Sequence, residues 1–118
     1  MEKVNLMKIK TLLTTTLLCL GLAMTAQAQI ISQAYELALS DFSAPATENG
    51  GVSFKQCKTC DRQVVRVTSA TRYTINGKAV RLEDFQKAVL QSRNGPERDV
   101  TVLHHLESDT IESIDVSL

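Results

Sequence analysis

The chain opens on Lys3, Lys8 and Lys10, continues with an apolar run from Thr11 to Met24, and closes that run with Ala26-Gln27-Ala28. A positive start, an apolar core and a small-residue end in this order form a secretory signal peptide, with cleavage expected after Ala28. The apolar core is shorter than the roughly 20 residues of a spanning helix, so no membrane anchor is expected after cleavage. A lipid anchor on Cys19 is not expected either, because Cys19 lies inside the apolar run behind the bulky Leu18. The foldable part is then residues 29–118, a single small domain. Removing the leader takes three lysines, Glu2, all three methionines and Cys19, and leaves ten basic side chains, twelve acidic ones, and Cys57 and Cys60. The expected location is periplasmic or secreted, an oxidising space in which an even cysteine pair forms a disulfide.

The whole chain has 118 residues, 43% of them hydrophobic, with 13 basic and 13 acidic side chains. No cluster of Lys and Arg stands ready to neutralise phosphates, so nucleic acid is not an expected partner. The apolar content is too high and the net charge too low for a disordered chain.

The segment from Gln29 to Phe42 supports two readings. Ile30, Ala34, Ala38 and Phe42 recur at helical spacing, whereas Tyr35, Leu37 and Leu39 alternate as in a strand, and a strand over Tyr35 to Asp41 is preferred. Pro45, Asn49, Gly50 and Gly51 place a loop over Ser43 to Gly51. Val52 to Gln56 and the valine-rich Gln63 to Thr68 read as strands on either side of the Cys57-Lys58-Thr59-Cys60 turn. A further strand, Arg72 to Ile75, leads into Asn76-Gly77, the residues a type I′ hairpin turn needs because both central positions take φ > 0. A two-residue turn there sets Tyr73 opposite Val80.

Leu82, Phe85, Ala88 and Val89 recur at steps of three and four, which predicts an amphipathic helix from Leu82 to Ser92 ended by Asn94-Gly95-Pro96. Val100 to Leu106 and Ile114 to Leu118 alternate as strands, and matching their apolar rows requires opposed positions with an even sum, such as Val102 with Ile114. An odd loop follows, most simply of three residues; a helical turn over Asp109 to Glu112 is the competing reading. The expected fold is therefore α+β, a small, mostly antiparallel sheet of four to six strands with one amphipathic helix. Its core is expected to hold Val65, Val67, Tyr73, Val80, Leu82, Phe85, Val89, Val102 and Val116.

The run Tyr73-Thr-Ile75-Asn76-Gly77-Lys78-Ala-Val80-Arg-Leu82-Glu-Asp-Phe85, followed by a helix and the strand Val100 to Leu103, resembles the periplasmic domain of the ExbD/TolR biopolymer transport family. The likeness spans fewer than thirty residues and implies a strand, a turn, a second strand, a helix and a further strand in that order. It implies no functional residue. Two features depart from that family: a removable leader where it keeps a membrane helix, and the Cys57-x-x-Cys60 pair.

Cys57 and Cys60 are the one constellation with chemical content. A structural disulfide is the preferred reading, because Asp61 opposes thiolate formation and a strand rather than a helix follows. Thiol–disulfide exchange assisted by Lys55 and Lys58 is one alternative, and a metal site of Cys57, Cys60 and His104 another. The simpler reading of His104 is a partly buried imidazole bonded to a neighbour such as Glu112 across the hairpin, with His105 solvated. Glu107, Asp109 and Glu112 read as a solvated acidic turn. If the strands between Arg62 and Arg81 pair, several of Arg62, Arg66, Arg72 and Arg81 share one sheet face and would there meet an anionic partner; ordinary protection of an exposed face is the preferred reading. No nucleophile elbow, paired-carboxylate motif or phosphate loop stands out, and no cofactor is expected. The sequence points to an exported cell-envelope domain, more a non-enzymatic binding or accessory module for an envelope protein or small ligand than an enzyme, with thiol–disulfide chemistry as the alternative.

Overall fold

The computed structural model describes Gln29 and residues 31–118. The signal-peptide reading falls on residues outside that range. The described residues form an α+β structure, one mixed sheet of eight strands and one α-helix. The strands are β1 (Ser32–Ala38), β2 (Phe42–Ser43), β3 (Gly51–Lys55), β4 (Arg62–Arg66), β5 (Arg72–Ile75), β6 (Lys78–Val80), β7 (Asp99–His105) and β8 (Thr110–Ser117); the helix, α1, is Leu82–Ser92. The sheet is thus larger than the expected four to six strands. The unforeseen strand is β2, only two residues long and so below what side-chain alternation can reveal; β6, three residues, is the second arm of the expected Asn76-Gly77 hairpin.

Five of the seven strand pairings are antiparallel, and β4 and β5 both run parallel to β8. The main path is β1-β7-β8-β4-β3-β2, with β5 and β6 continuing from the far end of β8. β4 meets β8 at Arg66 and Thr110, and β5 meets it from Arg72 and Ser113 onward. Between them the chain leaves β8 at Val67–Thr71, where Thr71 is buried and its hydroxyl donates to the Ile111 carbonyl at 2.6 Å. That bond satisfies a carbonyl the departing strand leaves open.

The sheet curls on itself. Tyr35 of β1 and Phe54 of β3 stand four strand steps apart in the sheet, which would be roughly 19 Å if flat. Their rings are 5.4 Å apart between centroids. The concave side holds Leu37, Phe42, Val52, Phe54, Val65, Val100, Val102, Ile111, Ile114 and Val116. Helix α1 closes the core with Phe85 and Val89, the Phe85 ring lying 5.2 Å from Tyr73 and edge-on to Phe42 at 6.3 Å. Of the nine expected core residues, Val80 and Leu82 are only partly buried, since β6 is an edge and Leu82 begins the helix; the other seven are buried.

The segment preferred as a strand over Tyr35 to Asp41 is a strand earlier, Ser32–Ala38, then a 3-10 turn over Leu39–Asp41. Ala38 is followed by a change of direction because Leu39 and Phe42 both enter the core. The Asn76-Gly77 hairpin forms as expected, with φ of 52° and 79° and Tyr73 opposite Val80.

Val102 faces Ile114, but the β7–β8 loop is not three residues. His105 pairs with Thr110, leaving four residues between them, and a bulge at Leu103/His104 absorbs the change of parity. Glu112 is the extra residue. Without it Ile111 and Ile114, three positions apart, could not both face the core, and both are buried. The helical turn considered over Asp109 to Glu112 is strand from Thr110 on, with Asp109 at φ 53° in the hairpin loop.

Candidate functional site

Three places on the described surface gather chemistry-bearing side chains: the Cys57–Cys60 turn, the β7–β8 hairpin tip, and the outer, convex face of β3, β4 and β5.

Cys57 and Cys60 sit in the turn that joins antiparallel β3 to β4, their sulfurs at disulfide-bonding distance. The Cys60 amide donates to the Cys57 carbonyl at 3.2 Å, closing the turn. Cys57 is exposed and Cys60 partly so. No helix begins here: β4 starts at Arg62, and the one described α-helix lies twenty residues further on. The turn therefore has no array of free helical amides to stabilise a thiolate.

The metal alternative does not find its ligands. His104 points its Nε2 at Asp109 Oδ1, 2.7 Å away, and among the described residues no three His, Cys, Asp or Glu side chains converge. His104 is a buried imidazole bonded to a neighbour, as expected, but the neighbour is Asp109 and not Glu112. The four-residue loop returns Asp109 over the buried imidazole, whereas Glu112, the bulge residue, points to the outer face and accepts the Ser32 hydroxyl at 2.7 Å. The carboxylate at Nε2 assigns the proton of a neutral imidazole to that nitrogen; Nδ1 is buried with no partner among the described residues. His105 is half-buried rather than solvated. Its Nδ1 accepts the Ser108 amide at 3.2 Å, so it belongs to the turn that sets Asp109 in place.

Glu107 and Asp109 are exposed at the tip, but Glu112 is held apart from them by Ser32, so the acidic turn is not a cluster of three. The arginines divide in the same way. Arg62, Arg66 and Arg72 lie on the outer face by strand alternation, while Arg81 leaves the sheet as the residue before helix α1.

Hollows in the described surface are shallow. One of about 260 Å³ lies between Glu48, Thr71, Tyr73 and Arg81. Burial pushes the Tyr73 hydroxyl above the ordinary tyrosine value, and the nearby Glu48 carboxylate pushes the same way. The hydroxyl has no hydrogen-bond partner among the described residues. A broader hollow, about 470 Å³, opens where β4 and β5 part from β8, with Arg72, His105, Thr110 and Glu112 on its walls. Sequence reasoning missed both, since each is made by the β4–β5 break, which no local pattern announces.

Compared with known protein families, curated proteins and solved structures, the chain matches none. No described helix is long and apolar enough to cross a membrane.

Proposed function

We propose that this protein is an exported, non-enzymatic binding or accessory module of the cell envelope, in which Cys57 and Cys60 form a structural disulfide. The observation that carries the reading is the place of the cysteine pair. It closes a hairpin turn between two strands, where no helix amides lower a thiol's pKa and Asp61 stands next to it. Two local features add support: the leader pattern over residues 1–28, and the order β5, Asn76-Gly77, β6, α1, β7. That order is the one implied by the likeness to the periplasmic domain of the ExbD/TolR family, which suggests a partner in an envelope assembly. On this reading the two thiols meet an oxidising compartment and no other mature cysteine competes.

Thiol–disulfide exchange is the second reading, favoured by the exposure of Cys57 beside Lys58. The reduction potential separates the two. A structural bridge lies below about −300 mV and gives no insulin reduction, whereas a pair poised between about −270 and −120 mV with turnover would establish the redox reading.

A further inference from the structure

We propose that the outer face of β3, β4 and β5 is a docking surface for an extended acidic segment of a partner protein, with an apolar side chain between two carboxylates. The proposal rests on the binding-module reading above and gives it a surface and a partner chemistry.

The first observation is a like-charge pair. Lys55 of β3 and Arg62 of β4 are directly opposed in the register, an arrangement that costs stability in an isolated sheet. Arg66 follows Arg62 on the same side of β4, and Arg72 continues the row on β5. Among the described residues none of these four cations has a carboxylate within 4.0 Å. The two carboxylates that β8 places beside the row are engaged elsewhere. Glu112 takes the Ser32 hydroxyl, and Asp115 takes the Thr74 hydroxyl and the Gly77 amide.

Charged residues often guard sheet edges against unwanted pairing. That explanation covers Arg62, since β4 pairs β8 at Arg66–Thr110 alone and its start has only β3 beside it, but not Arg66, which Gly51 and Thr110 pair on either side. Arg66 therefore stands inside the sheet with no edge to guard, and Arg72, paired with Ser113 on one side, adds to the row without a carboxylate partner among the described residues.

The second observation is Val64. It lies between Arg62 and Arg66 on the outer face and is 73% exposed, more than any other large apolar residue described. Its cross-strand neighbours are small: it faces Ser53, and a Cβ on Gly51 would come within 2.9 Å of its Cγ1. No larger side chain from β3 covers it.

Alternate residues of a strand share a face about 6.6 Å apart, so Arg62 and Arg66 are roughly 13 Å apart with Val64 midway. An extended segment has the same period. Laid along β4, it meets this row with a carboxylate, then an apolar side chain, then a carboxylate, at every second position. The Arg62 guanidinium, donating to Ser53 Oγ at 2.9 Å, is already held over the sheet rather than free in solvent. Ion pairs then set the register and speed of encounter, and the apolar contact adds burial.

The test uses the full chain as recovered from expressing cells and a fluorescein-labelled peptide with the core Glu-Ser-Leu-Ser-Glu, read by fluorescence polarisation. Binding is expected, with loss in 1 M salt, where the screening length falls from about 10 Å to about 3 Å. The double substitution Arg62→Glu with Arg66→Glu should weaken binding at least about tenfold, Val64→Ser by a smaller factor, and Lys87→Glu on exposed helix surface not at all. Melting curves confirm that each variant is folded; if the double variant is not, Arg72→Glu alone takes its place. No binding, equal binding of a peptide with lysines for the glutamates, or unchanged binding by the charge-reversed protein would overturn the proposal. So would binding to phosphatidylglycerol vesicles that the acidic peptide fails to compete. Failure of the peptide with no insulin reduction sinks the surface alone, whereas insulin reduction by the wild type sinks the binding-module reading beneath it.

Discussion

Tyr73 is the residue whose environment is least comfortable. Its ring is packed against Phe85 while its hydroxyl is buried without a partner among the described residues, and leaving such a group unpaired costs on the order of 1–3 kcal/mol. Tyr73→Phe is therefore expected to raise stability by about 1 kcal/mol at neutral pH in a urea melt. The alkaline limb gives a second readout. The folded-state pKa is raised, so an unfolded chain loses this proton near pH 10 while the folded chain still holds it. The associated stability is present below pH 10 and is lost as pH rises through the folded value. The wild type should fall off more steeply above pH 10 than Tyr73→Phe; parallel curves would contradict the assignment. His104 shows where residue-scale reading stops. Its burial and its need for a neighbour follow from its place in an alternating strand, but Asp109 as that neighbour depends on loop length, which the alternation does not carry.

At the scale of elements, what was legible was local. Asn76-Gly77 permits positive φ whatever surrounds it, and the Leu82 to Ser92 periodicity needs only one apolar surface to pack on. Phe85 is the centre of that helix face, fully buried against Tyr73 and Phe42. Phe85→Ala is expected to cost about 3–5 kcal/mol, and an unchanged melting temperature would contradict the helix's role in closing the core. What was not legible depends on several elements at once. β2 is too short to alternate, the turn after Ala38 follows from where Leu39 and Phe42 find space, and the bulge in β8 was hidden because Ile111 and Ile114 are out of phase in sequence. Deleting Glu112 restores one-to-one pairing and keeps both isoleucines on the inner face. The shortened chain should fold with a loss of roughly 1–2 kcal/mol. Deleting Asp115 instead throws Val116 to the outer face and should abolish the cooperative transition.

The described residues form a curled sheet sealed by one helix, and the cysteine turn stands outside its core. That separation sets the value of the bridge. A loop of four residues contributes about 2 kcal/mol in the chain-entropy account, so replacing both cysteines with serine should lower stability by no more than that and leave the circular dichroism spectrum unchanged. The same separation leaves the convex face free to serve as a contact surface, since its cations and Val64 take no part in the core. Export and oxidation go together in this protein's proposed role, and an intact mass of the protein recovered from expressing cells reads both. The expected species begins at Gln29, is lighter by two hydrogens than the reduced chain, and takes up no iodoacetamide until a reductant is added. A chain that retains residues 1–28, or that carries two alkyl groups without reduction, would contradict it.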